Sequence, residues 1–91
     1  MSTQEEVLEE VKEQKKEKDV HEIILYNDDH NTFDHVIETL IAVCEHTAEQ
    51  AEQCSLLVHY KGKCAVKTGT YSDLKPRCLR LLDEGLSAEI L

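Results

Sequence analysis

The feature that most constrains this chain is a stripe of apolar side chains in its middle. The members of the stripe recur every three or four residues, and they are Phe33, Val36, Ile37, Leu40, Ile41 and Cys44. This is the spacing of one face of an α-helix, so the sequence predicts an amphipathic helix that packs on a core. Asn31 or Thr32 can cap this helix, and Asp34 complements its dipole. A chain of 91 residues has room for one such core.

The segments around this helix predict a mixture of strands and helices. Residues 20–26 are rich in β-branched and bulky side chains and end at a turn signal, so they predict a strand. Thr47 and Gln50 have the spacing of a capping box, which predicts a second helix that ends near Gly62. The alternation of residues 63–69 then predicts a short second strand.

A third helix and a last strand complete the predicted order. Because Pro76 is best tolerated in a first turn, we expect this helix to begin near Ser72 or Asp73. It ends at Gly85, and its predicted core face consists of Leu74, Cys78, Leu81 and Leu82. The alternation of Leu86, Ala88 and Ile90 predicts the strand. The order β-α-α-β-α-β is that of an α+β fold.

Composition narrows the classes of function. Residues 1–19 hold seven acids and four lysines with few apolar groups, which predicts a flexible charged tail before a domain over residues 20–91. The net charge of −9 disfavours binding of nucleic acid. No apolar run is long enough for a membrane span and no signal peptide is recognisable, so we expect a cytoplasmic protein. The four cysteines form no Cys-x-x-Cys pair, which favours reduced, mostly buried thiols.

Polar side chains crowd the junction between the first strand and the first helix, over residues 26–33. Such a junction suits recognition of a cation on a rigid frame. A calcium loop fits poorly, because Thr32 stands where the EF-hand frame needs Gly and a strand precedes the loop. A transition-metal pair fits poorly too, since His30 and His35 are five residues apart. An acidic metal-binding protein and another small interaction domain remain the alternatives, and no motif indicates an enzyme.

Three short motifs resemble one known family. They are Tyr-Asn-Asp-Asp-His at residues 26–30, Phe-Asp-His-Val-Ile at 33–37 and Val-His-Tyr-Lys-Gly-Lys at 58–63. Together they resemble the ClpS family, the N-end-rule adaptors of the bacterial Clp protease, over residues 20–88. The resemblance implies a three-stranded antiparallel sheet packed on three helices, like the C-terminal domain of a ribosomal stalk protein.

The resemblance also implies a function without covalent chemistry or a cofactor. Members hold the first residue of a substrate protein and pass it to a hexameric Clp AAA+ unfoldase of the ClpA or ClpC type. The charged tail would engage the unfoldase during delivery. The expected ligand is an N-degron, a free N-terminus that bears Leu, Phe, Tyr or Trp.

The matching positions assign a role to each candidate site residue. Asn27, Asp28 and His59 would surround the substrate's α-amino group, while Asp29 and Asn31 would shape the loop and touch the adjoining backbone. The pocket for the first side chain would be lined by Phe33, Val36, Ser55 and Val58. Phe33 and Ser55 stand where well-known members carry Met, and residues 86–88 do not align clearly with the residue that closes the family pocket. Arg77 matches a basic position used for unfoldase contact.

Overall fold

The structure is a computed structural model that describes residues 19–91, so the predicted tail lies outside the described residues except for Asp19. The elements in the described part are β1 (His21–Tyr26), α1 (Phe33–Cys44), α2 (Ala48–Lys61), β2 (Lys63–Gly69), α3 (Tyr71–Asp83) and β3 (Ser87–Ile90). The predicted α+β order and the three-stranded sheet are therefore confirmed. None of the helices in residues 19–91 has the length and apolar character that a bilayer span requires.

The strand β1 forms the middle of the sheet. The spatial order is β2-β1-β3, and both neighbours run antiparallel to β1. Its residues Ile23 and Leu25 belong to the core cluster, and Ile24 between them is also buried. The chain therefore leaves the centre of the sheet at Tyr26. Directly beyond it, the backbone N–H of Asn27 donates to the carbonyl of Gly62 at 3.0 Å, which fixes the start of the loop.

The predicted helix boundaries are set by local capping. Of the two candidate caps for α1, Thr32 is the one that accepts a hydrogen bond from the N–H of His35. The capping box of α2 is complete, because Thr47 and Gln50 bond reciprocally. The helix ends at Gly62 with φ of 92°, a conformation that favours glycine.

The start of α3 differs from the prediction. The helix begins at Tyr71, because Thr70 is its cap and accepts a hydrogen bond from the N–H of Asp73. Pro76 therefore lies in the second turn, where it has no N–H to donate to the carbonyl of Ser72. Both Pro76 and Ser72 are exposed, so water can hydrate that carbonyl in place of the missing bond.

The core lies between the sheet and the helices and includes less of the predicted stripes than expected. Ile41 of the α1 stripe and Leu82 of α3 are 39% and 46% exposed, so their prediction as core residues is wrong, while Phe33, which is also predicted for the pocket, is 40% exposed. Leu82 follows Leu81 and is turned about 100° away from the core face of α3. The largest fully buried side chains are Ile23, Leu25, Leu40, Leu74, Leu81 and Cys44.

Candidate functional site

A cavity of about 280 Å³ opens where β1, α1 and α2 meet. Polar side chains from the loop after β1 and from α2 lie around it: Asn27, Asp28, Asp29, Asn31 and His59. The remainder is lined mainly by apolar side chains, Leu25, Phe33, Val36, Val58 and Leu86, together with Tyr26 and Ser55. The cavity thus has a polar rim beside an apolar interior, and every residue predicted for the N-terminus site lies on it.

The helices present their cavity side chains through regular spacing. On α2, Val58 and His59 follow Ser55 by three and four residues, so all three lie on one face of that helix. Phe33 and Val36 lie in the first turn of α1. The rings of Phe33 and His59 meet edge to face with centroids 6.5 Å apart. These two exposed rings form one border of the cavity, whereas Val58 is buried behind them.

Asp28 is held as an anion by its own loop. Its Oδ1 accepts hydrogen bonds from the N–H groups of His30 at 2.9 Å and Asn31 at 3.0 Å. Burial raises the pKa of Asp28, but the hydrogen bonds from the Asn31 side chain and from these two N–H groups outweigh it, and the pKa lies below the ordinary value. The rim therefore carries a fixed negative charge at neutral pH.

The side chain of Asn31 connects this loop to a distant part of the chain. Its Nδ2 donates to Asp28 Oδ1 at 3.0 Å and Oδ2 at 2.9 Å, and also to the carbonyl of Gly85 at 2.9 Å. Gly85 follows α3 with φ of 88°. The next residue, Leu86, is 4% exposed and lines the cavity. The sequence motifs do not identify Leu86 as a pocket residue, although it begins the apolar alternation that predicts the last strand.

Ser55 differs from the other side chains of the interior because it is polar. It is 3% exposed, and within residues 19–91 its Oγ has no hydrogen-bond partner. A serine inside a helix commonly bonds back to the carbonyl four residues earlier, and this bond is not formed here. The apolar interior therefore contains one buried hydroxyl with free bonding capacity.

Arg77 lies away from the cavity and is engaged in internal contacts. Its guanidinium donates to the carbonyl of Val43 at 2.7 Å and lies 3.7 Å from a carboxylate oxygen of Glu45 and 3.5 Å from one of Asp73. Only 23% of the side chain is exposed. Arg77 thus joins α3 to the carboxyl end of α1, where a cation complements the helix dipole.

The loop offers little to a metal ion. In residues 19–91, no group of three or more His, Cys, Asp or Glu side chains could hold one. His35 is turned toward the end of α3, where its Nε2 lies 2.9 Å from the carbonyl of Glu84.

Comparison with known proteins shows which family the chain belongs to. Residues 16–89 match the family model described as "ATP-dependent Clp protease adaptor protein ClpS". The chain belongs to the ClpS family. A ClpS adapter protein of Acetivibrio thermocellus is 46% identical over 52 residues, which cover 57% of this chain and 52% of that relative. A ClpS adapter protein of Nitratidesulfovibrio vulgaris strain Miyazaki F is 31% identical over 67 residues, 71% of this chain and 67% of that relative.

The fold has a counterpart among solved ClpS structures. Agrobacterium tumefaciens ClpS2, solved with L-phenylalaninamide bound, superposes with a TM-score of 0.76 over 79% of this chain and 94% of that one. At 18% sequence identity, this similarity establishes the ClpS fold and no more. The chain spans about half the length of the curated ClpS relatives from A. thermocellus and Edwardsiella ictaluri.

Proposed function

We propose that this ClpS chain is an adaptor that binds the free N-terminus of a substrate protein and delivers it to a Clp AAA+ unfoldase. The observation that carries the proposal is the division of one cavity into a rim of hydrogen-bond acceptors and an apolar interior. A terminal residue has the matching division, because its charged ammonium is joined directly to its side chain. Family membership supports the same function.

The rim has the chemistry that an α-ammonium group needs. An ammonium carries one positive charge and three N–H donors, so a receptor must offer acceptors from several directions. Asn27 can supply a carbonyl oxygen, Asp28 a carboxylate and His59 a neutral ring nitrogen. Asn31 acts through Asp28, since its amide holds the carboxylate in place. Loss of one partner of a desolvated charged contact typically costs about 2 to 5 kcal/mol.

The interior suits one large side chain of the substrate. Its volume of about 280 Å³ is small for a ligand site, so it accommodates a single residue and not a longer segment. Burial of a Leu or Phe side chain contributes about 1.5 to 3 kcal/mol. The N-terminal residues Leu, Phe, Tyr and Trp are therefore the proposed ligands. L-phenylalaninamide, the molecule bound to ClpS2, combines a free α-amino group with such a side chain.

Fluorescence anisotropy with labelled peptides tests recognition of the N-terminus. We expect a Leu-initiated peptide to bind with a dissociation constant on the order of micromolar. Acetylation of its amine removes the charge and should weaken binding by at least about 30-fold, the equivalent of 2 kcal/mol. Asp28→Asn and His59→Ala should weaken it similarly.

Matched controls come from the same loop and from α1. His30→Ala removes a histidine, and Asp34→Ala removes a carboxylate, and neither residue lines the cavity. Both variants should bind the Leu-initiated peptide like the unmodified protein. Binding of the acetylated peptide with undiminished affinity would refute the proposed function, as would binding that depends on an added metal ion.

Delivery is tested with an unfoldase and its peptidase. ATP-dependent degradation of a reporter with an N-terminal Leu should require this chain, and a variant without residues 1–19 should retain peptide binding but lose delivery. Arg77→Ala tests the predicted unfoldase contact. Because Arg77 also bonds to Val43, its effect on delivery must be compared with its effect on the melting temperature. A delivery defect without a loss of folded protein would support a role at the contact surface.

A further inference from the structure

We infer that Ser55 is a specificity-determining residue that makes this site prefer an N-terminal Tyr to an N-terminal Phe. The inference rests on the proposed function and specifies its substrate class. The observation behind it is that Ser55 lines the cavity while its buried Oγ has no hydrogen-bond partner among the described residues. A buried hydroxyl without a partner is rare, and a ligand that bonds to it gains what the free protein lacks.

The position of Ser55 along α2 fits the end of a tyrosine side chain. Ser55 precedes His59 by four residues, and a rise of about 1.5 Å per residue places the two about 6 Å apart along the helix axis. His59 belongs to the exposed rim, whereas Ser55 is 3% exposed and lies in the interior. A residue whose ammonium group contacts His59, and whose side chain runs inward along α2, ends beside Ser55. Among the proposed ligands, Tyr is the one that carries a hydroxyl at this end.

The surroundings of Ser55 indicate that Tyr and Phe are distinguished by a hydrogen bond and not by size. The neighbouring side chains Val36, Val58 and Leu86 are aliphatic and offer the phenol oxygen no partner, and the hydroxyl of Tyr26, which also lines the cavity, already donates to Glu89. Tyr and Phe differ by that one oxygen atom, so they bury nearly the same apolar surface. A phenol that enters without a partner would lose its bonds to water, and Ser55 replaces one of them as donor or acceptor.

The test compares peptides that differ only in their first residue, in anisotropy titrations with the unmodified protein and with Ser55→Ala. We expect the Tyr-initiated peptide to bind about two- to tenfold more tightly than the Phe-initiated one, the range of a net neutral hydrogen bond. In Ser55→Ala this ratio should fall to one or below, with the loss confined to the Tyr peptide. A Leu-initiated peptide shows whether the variant still binds N-termini, and Asp34→Ala, which lies outside the cavity, is the control that should keep the Tyr-to-Phe ratio of the unmodified protein.

Each other outcome overturns the inference in a distinguishable way. Equal affinity of the unmodified protein for the Tyr and Phe peptides overturns the role of Ser55 and leaves recognition of the N-terminus intact. A Tyr preference that persists in Ser55→Ala shows that another group bonds the phenol. Failure of all three free peptides to bind overturns the proposed function together with the inference.

Discussion

The side-chain amide of Asn31 makes hydrogen bonds whose removal should lower the stability of the protein by a predictable amount. In Asn31→Ala the protein loses donation to both oxygens of Asp28 and to the carbonyl of Gly85. Hydrogen bonds to a charged group contribute about 1.5 to 3 kcal/mol and neutral ones about 0.5 to 1.5. Because the contacts to Asp28 are only partly buried and that to Gly85 is exposed, we expect a loss near the lower end, about 2 kcal/mol of the free energy of unfolding. In a domain of this size the melting temperature should fall by roughly 10 °C.

The loss should depend on pH in a direction set by Asp28. Its pKa is lower in the folded protein, so the ionised carboxylate contributes stability above about pH 4 that is lost as the pH falls through the folded pKa. Without the Asn31 amide, the pKa of Asp28 should rise. The difference in stability between the two proteins is therefore expected to be constant from pH 7 to pH 5 and to shrink in acid. Urea unfolding across this range measures the difference, and NMR titration of the Asp28 carboxyl measures the pKa.

Asn27→Ala is the matched control, because it truncates an asparagine in the same loop whose backbone N–H, and not its side chain, bonds to Gly62. Its stability should change by less than about 0.5 kcal/mol. Under the proposed function, however, it should weaken binding of N-terminal peptides. The reasoning is refuted if Asp28 titrates at the same pH in the unmodified protein and in Asn31→Ala, or if the two asparagine variants are equally stable.

Three further predictions concern single residues elsewhere. Gly62→Ala should cost about 1 to 2 kcal/mol in urea unfolding, because φ is 92° while a Cβ there would meet nothing within 4 Å; an unchanged midpoint would contradict backbone strain. Ser55→Ala should raise the free energy of unfolding by about 1 to 2 kcal/mol, since it removes a buried hydroxyl without a partner and improves helix propensity. A lower melting temperature of that variant would mean that the hydroxyl is bonded. Burial raises the pKa of Cys44 to about 11, so iodoacetamide at pH 8 should modify half-buried Cys64 well before Cys44, as followed by mass spectrometry of peptides.

Local signals in the sequence predicted most of the fold. The capping box at Thr47, the glycine at position 62 and the periodic stripe of α1 each act within a few residues, so their outcome does not depend on the rest of the chain. The predicted start of α3 is wrong because Pro76 favours a later boundary, whereas the cap formed by Thr70 determines where that helix begins. The helical pattern wrongly includes Leu82 in the core, because an apolar side chain next to the core residue Leu81 fits the spacing without being buried.

The site was predictable where it follows from contiguous residues and unpredictable where it depends on distant contacts. The loop after β1 and the α2 residues around His59 are short motifs, so their residues could be named from the sequence. The place of Leu86 in the cavity could not be predicted, because Leu86 follows Gly85, and the bond from Asn31 to Gly85 joins residues that are 54 positions apart. The hydrogen bond from Arg77 to Val43 also joins residues that are distant in the chain, so no short sequence pattern predicts it.

The bond between Asn31 and Gly85 also has a consequence for the order of events during synthesis. The cavity needs the loop after β1, the middle of α2 and the residue that follows α3. A chain still leaving the ribosome has the first of these long before the last, and until Leu86 emerges the pocket has no closing wall. Under the proposed function, a nascent chain that still lacks Leu86 would therefore have an incomplete pocket, and peptide binding would require the complete domain.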